Sequence, residues 1–113
     1  MSIRHLSKDY AVGPQITPAD VARLKAQGFA TLVCNRPDGE SGDQPAFAEI
    51  AAEARKQGME ALHLPVMPGK IMPADRDAFA ALYVAAPKPV FAFCRTGMRA
   101  ETLWTDTQGD ADR

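Results

Sequence analysis

The chain has 113 residues, of which 46% are hydrophobic and 24% are charged, and this composition is typical of one globular domain with its own core. Its 13 Lys and Arg residues against 14 Asp and Glu residues leave a net charge of -1, which argues against nucleic acid or an anionic membrane as the main partner. We expect a cytoplasmic protein with two reduced cysteines, because the sequence shows neither a secretion signal pattern nor an apolar run of about 20 residues.

Strand and helix patterns alternate along the chain. Residues 3–6 and 10–12 predict an opening hairpin. Thr17 followed by Pro18 predicts the start of a helix, and Gly28 predicts its end. Further strands are predicted over residues 29–35, 61–66 and 90–93. Further helices are predicted over residues 45–57, from 73 to the proline break at 87–89, and from about 99 onward. The chain is predicted to be a single domain over residues 1–113, with residues 107–113 as a frayed tail.

This alternation predicts an α/β fold with a mostly parallel central sheet and helices on both faces. Ligands of such sheets bind beyond the carboxyl ends of the strands. Three loops are expected to meet at that edge, namely residues 35–38, residues 67–72 and the loop that begins at Cys94. A functional site is therefore predicted there.

Cys94 is the candidate nucleophile of this site. It follows a buried strand directly, and a helical pattern begins a few residues later. Backbone N–H groups at a helix start and nearby guanidinium groups favour a thiolate over a thiol. The alternative is that Cys94 only ends a core strand, since cysteine often behaves as a small hydrophobic residue.

The residues after Cys94 predict an anion-binding loop. Gly97 allows the backbone N–H groups to turn inward, and Arg99 can hold two oxygens of a tetrahedral anion through its planar fork. We therefore predict that Cys94 and Arg99 are catalytic. The predicted anion-binding residues are Arg95, Thr96, Gly97, Met98 and Arg36, although Arg95 is equally well explained as a solvated surface charge.

Asp38 is the predicted general acid, because a carboxyl group on a neighbouring loop can protonate a leaving oxygen. Glu40 is the other acid expected near the site. The alternative for Asp38 is purely structural, since Asp before Gly is a preferred turn sequence. Arg36 adds positive potential beside the loop, or else pairs with Asp38 or Glu40.

Cys34 and His63 have weaker claims to chemistry. Cys34 ends its strand much as Cys94 does, so it is either a resolving thiol for an oxidised Cys94 or a packed core cysteine. His63 lies in an apolar strand and is interpreted as a hydrogen-bonded core residue. We predict no metal and no cofactor, because the two cysteines and two histidines lack metal-ligand spacing.

Four stretches together resemble a known family. They are residues 16–20, residues 34–40 (Cys-Asn-Arg-Pro-Asp-Gly-Glu), residues 63–66 and residues 93–99 (Phe-Cys-Arg-Thr-Gly-Met-Arg). Their order is similar to that of the phosphatase-like domain of beta-lactamase hydrolase-like proteins, a small bacterial domain found alone or fused to metallo-β-lactamase-type hydrolases. The resemblance implies the fold of the dual-specificity tyrosine phosphatases and a cysteine phosphatase that acts on a phosphate ester, such as phosphotyrosine, in a small anion or a phosphoprotein.

Three features differ from the tyrosine phosphatase pattern. Cys94 and Arg99 enclose four residues where those enzymes generally have five, and Ala100 stands where they usually have serine or threonine. The loop that carries their general acid corresponds to residues 67–72, which contain no acid, and Asp75 lies just inside the next helix.

The spacing of four residues is also that of rhodaneses, in which the cysteine carries a persulfide and no general acid is needed. Their upstream Gly-His-Ile signature is absent from this sequence. Three hypotheses follow: a cysteine phosphatase, a sulfurtransferase that carries a persulfide on Cys94, and a non-catalytic module that binds anions. The oligomeric state stays open.

Overall fold

A five-stranded sheet forms the centre of the molecule. The computed structural model describes residues 2–111, and it describes side chains as far as Thr107. The strands are β1 (Arg4–Ser7), β2 (Tyr10–Gly13), β3 (Thr31–Cys34), β4 (Glu60–His63) and β5 (Val90–Phe93). They lie in the order β1-β2-β5-β3-β4, and every pair is parallel except β1 with β2. The mostly parallel sheet and the opening hairpin agree with the prediction.

Helices cover both faces of the sheet, as predicted. Helices α1 (Val21–Ala26) and α2 (Phe47–Lys56) pack on one face, and α3 (Pro73–Ala85) and α4 (Met98–Ala111) pack on the other. Neighbouring residues of a strand point to opposite faces of the sheet, so two residues of β5 lie on each face. Because helices cover both faces, all four residues of β5 are buried. The central strand is therefore enclosed completely, and it delivers Cys94 to the carboxyl edge of the sheet.

Tyr10 fixes the start of α4 against the sheet. Its hydroxyl donates a hydrogen bond of 2.9 Å to the carbonyl oxygen of Ala100, and its ring stacks on Trp104 with centroids 4.5 Å apart. The Tyr10 side chain is 1% exposed, so this hydrogen bond is shielded from water. The first turn of α4, which follows the Cys94 loop, is held by a buried contact from β2.

The last helix extends further than the sequence suggested. Helix α4 continues to Ala111, so part of the predicted tail over residues 107–113 is helical, and residues 112 and 113 lie outside the described residues. The frayed tail itself stays a prediction. Thr107 is 8% exposed, and its hydroxyl donates a hydrogen bond of 2.8 Å to the carbonyl oxygen of Leu103. Within the described chain, each helix is too short or too polar to cross a membrane.

Candidate active site at the Cys94 loop

Cys94 lies immediately after β5 and is 1% exposed. The backbone N–H of Gly97 donates a hydrogen bond to its Sγ over 3.0 Å. Gly97 has a φ of +97°, and a Cβ at this position would lie 3.1 Å from the carbonyl oxygen of Gly13 in β2. A glycine is thus required both for the turn and for the close approach to β2, and the turn aims a main-chain donor at the sulfur.

Arg99 is placed by the first turn of α4 and is 8% exposed. Its two terminal nitrogens each donate to the carboxylate of Glu40 over 2.8 Å, and Nη1 also donates to the carbonyl oxygen of Val66 over 3.0 Å. The hydrogen bonds with Glu40 are the main cause of a raised pKa at Arg99, and the nearby Cys94 sulfur acts in the same direction. The guanidinium is therefore held by Glu40 and lies near the Cys94 sulfur.

Arg36 is the second guanidinium held by Glu40. It is 4% exposed, and its Nε donates to Glu40 Oε1 over 2.9 Å. Of the two partners considered for Arg36, the structure therefore selects Glu40. Hydrogen bonds from Arg99 and then from Arg36 lower the pKa of Glu40 to about 2, so this carboxylate stays ionised at neutral pH.

Gln15 ties the other end of the loop to the same network. Its side-chain oxygen accepts a hydrogen bond of 3.1 Å from Arg36, and its backbone N–H donates one of 3.3 Å to the carbonyl oxygen of Arg95. The loop is thus connected at Arg95 and at Arg99 to one chain of contacts through Arg36 and Glu40. Sequence reasoning missed Gln15, because a lone glutamine after Gly-Pro carries no motif.

An open groove of about 1260 Å³ lies over this network. Arg95, Thr96, Met98 and Arg99 line its floor on one side, whereas Cys94 itself lies behind them, outside the lining. Thr96 accepts a hydrogen bond from the Met98 N–H over 3.3 Å, which supports the turn into α4. The groove is further lined by Gln15, Arg36, Glu40, Asp43, Ile71, Arg76 and Asp106.

The structure separates Asp38 from the other predicted site residues. Asp38 Oδ1 accepts a hydrogen bond of 2.8 Å from the backbone N–H of Phe47, the first residue of α2, and Asp38 does not line the groove. This geometry is that of a helix cap, since the first N–H groups of a helix lack partners within it. This contact favours the structural alternative for Asp38, and its role as general acid stays a prediction.

Cys34 and His63 both contact the backbone of Arg36. Cys34 Sγ donates to the carbonyl oxygen of Arg36 over 3.3 Å, and Nε2 of His63 lies 2.9 Å from the same oxygen. Burial raises the pKa of Cys34 to about 11, so this thiol stays protonated at neutral pH. The contacts favour the interpretation of Cys34 as a packed core cysteine. In the part of the chain that the structure describes, three or more potential metal ligands do not cluster anywhere.

The sheet, the helices on both faces and the Cys94 loop define a phosphatase-like α/β domain. The profile of a family described as "Beta-lactamase hydrolase-like protein, phosphatase-like domain" matches residues 2–111, so the chain belongs to this family.

The chain is also similar to individual proteins. It is 36% identical over 104 residues to a beta-lactamase hydrolase-like protein of Agrobacterium fabrum, a match that covers 92% of this chain and 24% of that protein. The chain thus spans about a quarter of this curated relative. A solved structure of a phosphatase candidate from Neisseria meningitidis is 38% identical, with a TM-score of 0.86 over 92% of this chain and 74% of the other.

A more distant structure, Tk-PTP in its active form, is 19% identical, with a TM-score of 0.63 over 85% of this chain and 63% of the other. At this identity the similarity concerns the fold alone. The predicted cysteine-phosphatase-like fold and the predicted family are both confirmed, and the domain is phosphatase-like.

Proposed function

We propose that this domain is a cysteine-dependent phosphatase-like hydrolase in which Cys94 attacks the phosphorus of a phosphate ester. The contact between the Gly97 N–H and the Cys94 sulfur, at 3.0 Å, is the observation that carries the proposal. A donor aimed at the sulfur stabilises a thiolate, and the turn that supplies it leads directly into Arg99. A nucleophile and an anion-binding guanidinium thus belong to one loop.

The proposed reaction has two steps. In the first, a bond forms between Cys94 Sγ and phosphorus while the bond from phosphorus to the leaving oxygen breaks. The loop N–H groups and Arg99 stabilise the negative charge on the phosphoryl oxygens. In the second, water attacks phosphorus, the sulfur–phosphorus bond breaks, and Cys94 returns as a thiolate while inorganic phosphate leaves.

The substrate must reach a sulfur that is 1% exposed in this structure. Arg95 and Thr96 are the exposed loop residues nearest to it in sequence, and both line the groove. Sites of this kind tighten or open when the substrate binds, so catalytic contacts need not be complete in the free protein. A small anionic substrate or a phosphoprotein, including one with phosphotyrosine, is proposed as the binding partner, and the cytoplasm as the location.

Sulfur transfer is a second candidate function, favoured by the four residues between Cys94 and Arg99. In this reaction, Cys94 attacks the outer sulfur of thiosulfate, the sulfur–sulfur bond of thiosulfate breaks, and sulfite leaves with the electron pair. The resulting persulfide gives its outer sulfur to cyanide, so that thiocyanate forms and the thiolate is restored. Neither step requires a proton donor in the groove.

Two assays on the purified domain test these proposals. Release of phosphate from 4-nitrophenyl phosphate, abolished by Cys94→Ser and retained by Cys34→Ser, would support the phosphatase. Rapid quenching should then trap one phosphoryl group on Cys94. Thiocyanate formation from thiosulfate and cyanide without phosphate release would instead establish the sulfurtransferase. Inactivity in both assays, with measurable binding of inorganic phosphate, would leave an anion-binding module.

A further inference from the structure

The carboxylates around the groove are all engaged as hydrogen-bond or ion-pair acceptors. On the basis of the proposed phosphatase function, we propose that the leaving group departs as an anion, without protonation by any carboxyl group that the described residues place at the groove. The substrates are then phosphates of acidic hydroxyl groups, that is, aryl or acyl phosphates, and alkyl phosphate esters are excluded.

Glu40 is the groove carboxylate nearest to Arg99, and it has no proton to give. Both of its oxygens accept hydrogen bonds from Arg99 at 2.8 Å, and Oε1 accepts a further one from Arg36 at 2.9 Å. A carboxylate that accepts three charged hydrogen bonds strongly prefers its ionised form. Glu40 therefore positions the two guanidinium groups and does not act as an acid.

Asp43 and Asp106 are the other carboxylates in the groove lining. Asp43 accepts a hydrogen bond from the Ser41 hydroxyl, and that bond is the main cause of its lowered pKa, to which the charges of Arg36 and Arg95 add. Asp106 lies across the groove on α4, with Oδ2 3.7 Å from Nη1 of Arg76. Asp43 is thus engaged by a hydroxyl group, and Asp106 lies within ion-pair distance of a guanidinium.

Two further carboxylates near the groove, Asp38 on the loop after β3 and Asp75 in the first turn of α3, accept hydrogen bonds at helix starts. Asp38 accepts the Phe47 N–H at the start of α2, at 2.8 Å, and Asp75 accepts the Met72 N–H at the start of α3, also at 2.8 Å. On the side of the groove formed by residues 68–71, the lining residues are Pro68, Gly69 and Ile71. Where a phosphatase would present its acid, these residues carry no carboxyl group.

The chemical consequence follows from the balance of the first step. When the bond from phosphorus breaks, the leaving oxygen takes the electron pair and must either receive a proton or leave as an anion. A phenol has a pKa of about 10 and leaves readily as phenolate, whereas an alkoxide is far less stable and needs an acid. General acid catalysis typically raises the reaction rate by about 100-fold to 10,000-fold, and this domain then lacks that rate enhancement.

The experiment measures kcat/KM for a series of substituted phenyl phosphates, for acetyl phosphate and for glycerol phosphate as the alkyl ester. The expected result is a steep fall with decreasing acidity of the leaving group. Phenyl phosphate should react at least about 100-fold more slowly than 4-nitrophenyl phosphate, and glycerol phosphate should not react measurably. Acetyl phosphate should react at least as fast as 4-nitrophenyl phosphate.

A series whose kcat/KM varies by less than about threefold would overturn the inference but leave the phosphatase function standing. A complete absence of phosphate release, even from 4-nitrophenyl phosphate, would instead overturn the phosphatase function itself. Asp43→Asn and Asp106→Asn supply a second measurement. Each should change the rates for phenyl phosphate and 4-nitrophenyl phosphate by the same factor, and a selective loss with phenyl phosphate would identify that aspartate as the missing acid.

Discussion

Glu40 and Arg99 face each other in a two-pronged ion pair, with both terminal guanidinium nitrogens 2.8 Å from carboxylate oxygens. Glu40 lies on the loop after β3 and Arg99 in the first turn of α4, at the same edge of the sheet. Parallel hydrogen bonds between a planar guanidinium and a carboxylate fix the orientation of both groups. The ion pair therefore sets the direction of Arg99 before any anion arrives.

Glu40→Gln should lower the free energy of unfolding by about 1–3 kcal/mol, because it leaves two largely buried guanidinium groups without their negative partner. The loss should also depend on pH. The pKa of Glu40 is about 2 in the folded protein, against 4.5 as its ordinary value. Its contribution is thus complete above pH 4.5 and is lost as the pH falls through about 2.

Urea unfolding of the wild type and Glu40→Gln at several pH values checks this prediction. The difference between them should be largest near neutral pH and should shrink steadily below a pH of about 4.5. Glu60→Gln, at an exposed position of β4, is the matched control and should change stability little. A difference between wild type and Glu40→Gln that is the same in acid and at neutral pH would contradict the role assigned to this ion pair.

Arg99→Lys should reduce kcat/KM by about 100-fold to 1000-fold, the range found when one donor to a developing anion is removed. Lysine keeps the charge but offers a point contact where arginine offers a planar fork, so it cannot hold Glu40 and a tetrahedral anion in the same geometry. Steady-state kinetics and phosphate binding measured by calorimetry would show the loss. Arg23→Lys, whose side chain is 71% exposed on α1, is the control. Equal activity of the two variants would show that Arg99 does not contribute to the reaction.

Asp38→Ala should cost about 0.5–2 kcal/mol of stability, the usual loss when a helix cap is removed, and should leave kcat/KM nearly unchanged. Asp38→Asn should recover most of the lost stability, because an amide oxygen can still accept the Phe47 N–H. Thermal unfolding and a pH–rate profile separate the two roles. If Asp38→Asn were stable but had lost the alkaline limb of the profile, Asp38 would be the general acid after all.

The sequence predicted the parts of this fold that depend on local patterns. The buried run before Cys94, the glycine at 97 and the helix that follows are adjacent in the chain, so their residue types specify a strand, a turn and a helix start directly. Parallel pairing then follows from the alternation of strands and helices. The family resemblance was visible for the same reason, because its motifs lie in continuous stretches.

The contacts that complete the site could not be predicted in this way. Glu40 meets Arg99 only because β3 lies beside β5, and the path of the loop after β3 decides which of its acids turns toward the groove. Asp38 and Glu40 are two residues apart, yet one caps α2 and the other pairs with Arg99. Gln15 is positioned by the chain after β2, where the sequence indicates only a break.

Gly97→Ala should destabilise the protein by about 2–4 kcal/mol, because it combines backbone strain at a positive φ with a collision against β2. The new Cβ would lie 3.1 Å from the Gly13 carbonyl oxygen, and a backbone atom inside a sheet cannot move aside cheaply. Gly69→Ala is the matched control. Gly69 also has a positive φ, of +68°, but a Cβ there would meet nothing within 4 Å.

Gly69→Ala should therefore cost only the strain, about 1 kcal/mol. Denaturant unfolding measures both stability losses. At a temperature where both variants are folded, only Gly97→Ala should also lose activity, because the N–H of residue 97 can no longer lie 3.0 Å from the Cys94 sulfur. Equal stability losses for the two substitutions would mean that the Cys94 loop does not press against β2. The sulfur would then lack the rigid main-chain donor on which the proposed chemistry relies.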